Sequence, residues 1–198
     1  PATEPLLADK PWHIRTWGDR VPPVQRDDPR NLWGFDMKLP EYADNRGELH
    51  NLTIQYGTLT EEERFRINEH IVQTICMLDA LPLPDRLARV PRLAGTHHER
   101  VDGKGYPFGL SGEDMSIPEK IMAVADIFEA LTAVDRPYKQ GKTLSEALNI
   151  MDNMTRQGHI DRDVFLLFVR SGTYRRYGAQ HLKAEQIDTV DESLFMKP

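Results

Sequence analysis

One cysteine, Cys76, stands in the whole chain of 198 residues. A lone thiol makes no internal disulfide, so a disulfide framework is excluded, and such usage points to a reducing compartment. No run of about eighteen apolar residues occurs, which excludes an ordinary membrane-spanning helix. The opening PATEPLLADKPW has neither the basic start nor the apolar stretch of a secretory signal, and the expected location is cytoplasmic. Basic charge is not in excess either. Lys and Arg total 25 against 31 Asp and Glu, a formal net charge of -6. Long nucleic acid is therefore not the expected partner, because phosphate backbones are bound by basic surfaces. A small phosphorylated ligand held by a local basic cluster remains compatible. Strand-like alternation of useful length is missing too, and so is any internal repeat. The expected fold class is all-α.

What is present divides unevenly. Residues 1 to about 47 carry seven prolines and all three tryptophans, Trp12, Trp17 and Trp33. Disordered tails rarely hold so many large aromatics, so this reads as an extended arm that packs its rings onto a larger body. Helical signals begin near Gly47. ELHNLTIQYG reads as a short helix stopped by Gly57. In TLTEEERFRINEHIVQTICMLDAL, Thr60 and Glu63 have capping-box spacing, and Phe65, Ile67, Ile71, Val72, Ile75 and Leu78 form an apolar face. A helix from about Asp85 to Glu99, with a break at Pro91, is expected to end at His97 and His98. Ser116 with Glu119, and Thr143 with Glu146, mark two further helix starts. Asp161 and Gly172 bracket a last core helix. The expected division is an arm over 1–47, a helical domain over 48–175, and a C-terminal helix and tail over 176–198.

The candidate chemistry sits in four places. His70 lies on the border of an amphipathic face, where, taken alone, an ordinary core or boundary histidine is the more natural reading than a ligand. His97 and His98 are adjacent, and neighbouring helical positions diverge by about 100°, so both serve one site only at a helix end or around a metal. Asp126 lies on an apolar stretch, IMAVADIFEALTA, where a carboxylate is costly unless paired, bonded to a helix terminus or bound to metal. The loop DGKGYPFGL holds Tyr106 between Gly105 and Pro107, which suits either a fixed aromatic over a site or a plain surface loop. DRPYKQGK gathers Arg136, Lys139 and Lys142, a solvated turn or a phosphate site.

Taken together and in order, these segments resemble one family. HHERVDGKGYPFGLSGEDMSIPEKIMAVADIFEALTAVDRPYK is similar to the C-terminal signature of the HD-GYP family, a bacterial branch of the HD-type metal phosphohydrolases. GTLTEEERFRINEHI resembles the family's preceding helix. The likeness runs from about Leu49 to Tyr174. It implies an all-α, HD-type phosphohydrolase bundle, here its C-terminal half, with an irregular N-terminal arm.

The resemblance also implies an activity, hydrolysis of cyclic di-GMP to pGpG and onward to GMP in some members, in bacterial second-messenger signalling. By position, His70, His97 and His98 become metal ligands. Asp126 binds a neighbouring metal and carries the catalytic role, Tyr106 contacts substrate, and Arg136 and Lys139 meet its phosphates. Imidazole and carboxylate suit iron, manganese or similar divalent ions. Two or three such ions can activate water and stabilise both oxygens of an in-line phosphodiester displacement.

One departure is large. The family's other ligands include an adjacent His-Asp dyad, and no His-Asp pair occurs in these 198 residues. The expectation is a C-terminal portion of a longer enzyme that holds at most one metal by itself and is inactive alone. An upstream sensory domain and a homodimer are the expected partners beside the cyclic dinucleotide. The competing expectation is an inactive relative that binds a cyclic dinucleotide or a protein as a signalling module.

Overall fold

The computed structural model describes residues 9–55, 57–134 and 141–196. The described residues form helices with one very small sheet, and they divide into two compact units at Pro82 and Leu83. No described helix is long and apolar enough to cross a membrane.

In the first unit, β1 (Ile14–Arg15) pairs antiparallel with β2 (Asp44–Asn45), with Ile14 opposite Asn45 and Arg15 opposite Asp44. This two-residue ribbon is too short to show as sequence alternation. Three helices follow: α1 (Glu48–Leu52), α2 (Glu61–Asn68) and α3 (His70–Asp79). The Thr60 hydroxyl accepts from the Glu63 amide at 3.2 Å while Glu63 accepts from the Thr60 amide at 3.0 Å, so the expected capping box opens α2. Two of the three tryptophans pack against other residues of this unit. Trp17 sets its ring edge-on to Phe65 at 5.7 Å and donates to the Pro40 carbonyl. Trp33 stacks on Phe35 and donates to the Asp79 carboxylate. Trp12 stays exposed. Val24, Phe35 and Met37 of this segment are buried. Asn31 bridges that turn, donating to the Gln25 and Phe35 carbonyls and accepting from the Gly34 and Phe35 amides.

Several boundaries differ from the sequence reading. The first helix ends at Leu52, well before Gly57. The single long helix from Glu61 is two, joined at Glu69, where the amide is shared between the Phe65 and Ile67 carbonyls. Phe65, Ile71, Val72 and Ile75 are buried as expected, but Ile67 is 54% exposed, because that last turn of α2 does not continue the apolar stripe.

The second unit carries α4 (Val90–Gly95), α5 (Ile117–Thr132), α6 (Leu144–Arg156), α7 (Arg162–Arg170) and α8 (Thr173–His181). Pro91 stands in the first turn of α4 and begins that helix, since its missing N–H is one of the unpaired donors there anyway. The stretch expected as a helix from about Asp85 to Glu99, broken at Pro91, is a 3-10 turn, Asp85–Leu87, followed by α4, which ends at Gly95. Helices α5, α6 and α7 enclose the main core, with Phe128, Leu148, Met151 and Phe165 at its centre. Asp161 caps α7 by accepting from the Asp163 and Val164 amides. Gly172, at φ 64°, turns the chain directly into α8.

The C-terminal segment closes over this core. Tyr174 is fully buried and donates its hydroxyl proton to Glu192 at 2.8 Å. Gln186, also buried, donates to the carbonyls of Thr132 (2.8 Å) and Lys142 (3.1 Å).

Candidate metal and substrate site

Thr96 ends α4 with φ -109°, and the chain leaves the helix directly before the two histidines. Their rings therefore need not diverge as on a helix, and their centroids lie 4.1 Å apart at 48°. The His97 Nδ1 lies 2.7 Å from the Ala94 carbonyl oxygen. A carbonyl only accepts, so in the neutral ring Nδ1 carries the proton and Nε2 bears the lone pair. His70, at the start of α3 in the first unit, repeats the device with its Nδ1 2.5 Å from the Ile67 carbonyl. A backbone carbonyl that fixes the tautomer in this way is the usual outer partner of a metal-ligating histidine. Both rings thus fit divalent metal ligation through Nε2.

The loop after the histidines lies against them. Tyr106 stacks on His98, ring centroids 4.8 Å apart and 26° from parallel, and its amide donates to the His98 carbonyl at 3.3 Å. The peptide bond into Pro107 is cis. Burial pushes the Tyr106 phenol up to about 12, and the negative charge of Asp126 adds to the shift. Asp126 on α5 is half-buried.

Two carboxylates that the sequence reading treated lightly or passed over hold this arrangement. Glu119, identified only as a cap, is 1% exposed. It accepts from the Ser116 amide and hydroxyl, and from the Arg92 guanidinium at 2.6 Å. Arg92 belongs to α4, which leads to His97, and Glu119 to α5, which carries Asp126, so this ion pair ties the two helices. Burial acts to raise the Glu119 carboxyl, but the Ser116 bonds and Arg92 outweigh it and hold it below its ordinary value. Glu99 had no assigned part. It is also 1% exposed, and its carboxylate accepts from the Phe108 and Leu110 amides. Its place immediately after the histidines and before the glycine loop was the signal available.

Arg136 and Lys139 lie outside the described residues. The flanks of their segment are described: the Lys142 amide donates to the Leu131 carbonyl at 2.9 Å, and Gln186 binds the carbonyls of Thr132 and Lys142. A Cβ on Gly141 would sit 2.4 Å from the Thr132 oxygen, so this close approach needs glycine.

The HD domain pattern matches residues 1–164. This chain belongs to the HD domain family. Over 128 residues, 63% of the chain, it is 47% identical to the 3'3'-cGAMP-specific phosphodiesterase 1 of Vibrio cholerae, covering 29% of that protein. A cyclic di-GMP phosphodiesterase of Pseudomonas aeruginosa is 47% identical over 137 residues, 69% of the chain and 32% of the relative. A cyclic di-GMP phosphodiesterase response regulator of Xanthomonas campestris is 39% identical over 99 residues, 50% of the chain and 25% of the relative. The chain thus spans a third or less of the length of these relatives. Their names agree with the HD-GYP branch, and the helical architecture agrees with the HD-type bundle expected from the sequence. HD domains are metal-dependent phosphohydrolases, and the histidine tautomers described above suit that chemistry.

Proposed function

We propose that this chain forms part of a metal-dependent phosphodiesterase that hydrolyses a 3'3'-cyclic dinucleotide, cyclic di-GMP in the first instance, to a linear product. The observation that carries the proposal is the stacking of Tyr106 on His98, beside His97 with its Nε2 bearing the lone pair. The relatives' names support the substrate class, and they include both cyclic di-GMP and 3'3'-cGAMP.

In this reading His70, His97 and His98 are metal ligands and Asp126 binds a neighbouring metal position. Divalent ions such as iron or manganese, when bound, supply Lewis acidity toward the phosphodiester and activate water. The chain's own residues do the rest. Tyr106, protonated at any physiological pH, offers a hydroxyl donor and a ring face to the substrate. Its site beside the histidines suits a base or sugar edge. Arg136 and Lys139 supply the charge-assisted bonds that phosphate recognition needs, each contributing about 1.5–3 kcal/mol. The setting is intracellular signalling, with a sensory domain elsewhere in the parent protein and a possible second copy as further partners.

The test is turnover of cyclic di-GMP and 3'3'-cGAMP by the metal-loaded parent protein, with Asp126→Asn as control. Hydrolysis of one or both that the control abolishes supports the reading, and the ratio of the two rates names the substrate. A second reading is a non-catalytic cyclic-dinucleotide binder. Saturable binding without turnover by the metal-loaded parent would select it.

A further inference from the structure

Glu99 touches the Gly-Tyr-Pro loop at two separate points. Its carboxylate, 1% exposed, reaches the loop's returning limb, Oε1 accepting from the Phe108 amide at 2.6 Å and Oε2 from the Leu110 amide at 2.9 Å. Its main chain lies directly against the outgoing limb. A Cβ placed on Gly105 would come within 2.4 Å of the Glu99 Cα and the Arg100 nitrogen. Glu99 itself is anchored, its amide donating to the Thr96 carbonyl at the end of α4. Between the two limbs stands Tyr106, with its ring on His98.

We propose that Glu99 is a positioning residue: its buried carboxylate holds the loop closed so that the Tyr106 ring stays stacked on His98 and presents one fixed face to the substrate. A carboxylate is the right group for this task. It only accepts, so each oxygen can take one backbone N–H. Glutamine has the same shape but places an NH2 where one of those amides points, leaving two donors face to face. Burying a carboxylate is costly without partners, so one that serves merely as filler would not persist beside an apolar alternative. The two short amide bonds offset that cost, and what they fix is the limb directly after Tyr106 and Pro107. The placement of the ring stands on geometry alone; only the substrate-facing role rests on the phosphodiesterase reading.

The test reads the ring contact directly, without substrate. In carbon-labelled histidine spectra of the chain, the His98 ring protons should be shifted upfield by the stacked tyrosine. Tyr106→Phe should keep that shift and Tyr106→Ala should abolish it, which assigns the signal. Glu99→Gln should move the His98 signals to their Tyr106→Ala positions while those of His13 and His181, remote in sequence, stay unchanged. A folded Glu99→Gln chain with the His98 shift intact would overturn the proposal. Should that variant not fold, hydrogen exchange on the unaltered chain decides the matter. The Phe108 and Leu110 amides should be strongly protected, and exchange at the rate of an unstructured loop would overturn the positioning role. Both readings are independent of turnover, so a failed phosphodiesterase assay leaves them standing. If the parent does turn over a cyclic dinucleotide, Glu99→Gln should raise KM as far as Tyr106→Ala does, and the double variant should be no worse than Tyr106→Ala. Fully multiplicative KM effects would mean that Glu99 acts by another route.

Discussion

The Arg92 guanidinium donates to the Glu119 carboxylate at 2.6 Å, joining the helix that leads to His97 with the helix that carries Asp126. Glu119 meanwhile closes the capping box of its own helix. One buried carboxylate therefore sets both a local helix start and the spacing of two candidate ligand-bearing elements. Glu119→Ala removes the bond to the Ser116 amide and the tie to Arg92, and a loss of about 1–3 kcal/mol in denaturant unfolding is expected. Glu119→Gln keeps a capping side chain and should lose less, because Arg92 is 55% exposed and rehydrates when its partner loses charge.

The same group gives a pH dependence with a definite sign. Its carboxyl is held below the ordinary value of 4.5, so its stabilising contribution is fully present above that value. It is lost as pH falls through the lower, folded-state value. Unfolding curves for the natural chain and for Glu119→Gln should converge at low pH. A constant gap down to complete acid unfolding would show that the charge is immaterial.

Caps were the most legible part of the fold, and the reason is locality. Thr60 with Glu63, Ser116 with Glu119, Thr143 with Glu146, and Asp161 each act within one helical turn, so spacing alone identifies them. Features set by longer reach were not legible. The split at Glu69 has no proline or glycine to mark it. The bonds from Glu99 to amides nine and eleven residues away depend on how the loop folds back. The exposure of Ile67 depends on where α2 stops. Of the candidate site, His97, His98 and Tyr106 come together as their adjacency in one motif suggests. Asp126 was expected on an apolar stretch and is half-buried, with an electrostatic effect on Tyr106 that no spacing rule reveals.

Gly105 is a sharp test of the loop's packing. The atoms that a Cβ would meet are Glu99 and Arg100 backbone, at 2.4 Å, and backbone cannot swing aside like a flexible side chain. Gly105→Ala should therefore cost about 1–3 kcal/mol, the usual range for overpacking. Gly103→Ala meets nothing closer than 3.9 Å, and its cost comes from φ 76° instead. The two variants should separate in structure: only Gly105→Ala should displace Tyr106 from His98.

Tyr106 should titrate late. Burial first, and the Asp126 charge second, push its phenol up to about 12. Ultraviolet titration of the chain minus that of Tyr106→Phe isolates this one phenol. Asp126→Asn should lower its midpoint only part of the way toward the ordinary value of 10.0, because burial is the larger cause. A full return to that value would mean that charge dominates and that the ring is better solvated than the fold implies.

Metal content tests the proposed ligand set most directly. His70 and His97 share one feature, an Nδ1 bound to the carbonyl three residues earlier, which leaves Nε2 as the lone-pair nitrogen of each neutral ring. With His98 they make three imidazoles, enough for one divalent ion with water completing its shell. Asp126 belongs in this proposal to a neighbouring position, and no His-Asp pair in these 198 residues completes it. The expected stoichiometry by elemental analysis is therefore one manganese or iron per chain at most, with no useful hydrolysis of cyclic di-GMP by the chain alone. His70→Ala and His97→Ala should each weaken that binding by more than about tenfold, since even the loss of an outer partner of a ligand costs 10–100-fold. Asp126→Asn should leave it nearly unchanged. Two tightly held metals per chain would show that the neighbouring position is completed within these residues, and loss of the single metal in Asp126→Asn would place Asp126 in the first ion's own coordination shell; either would overturn the division of ligands.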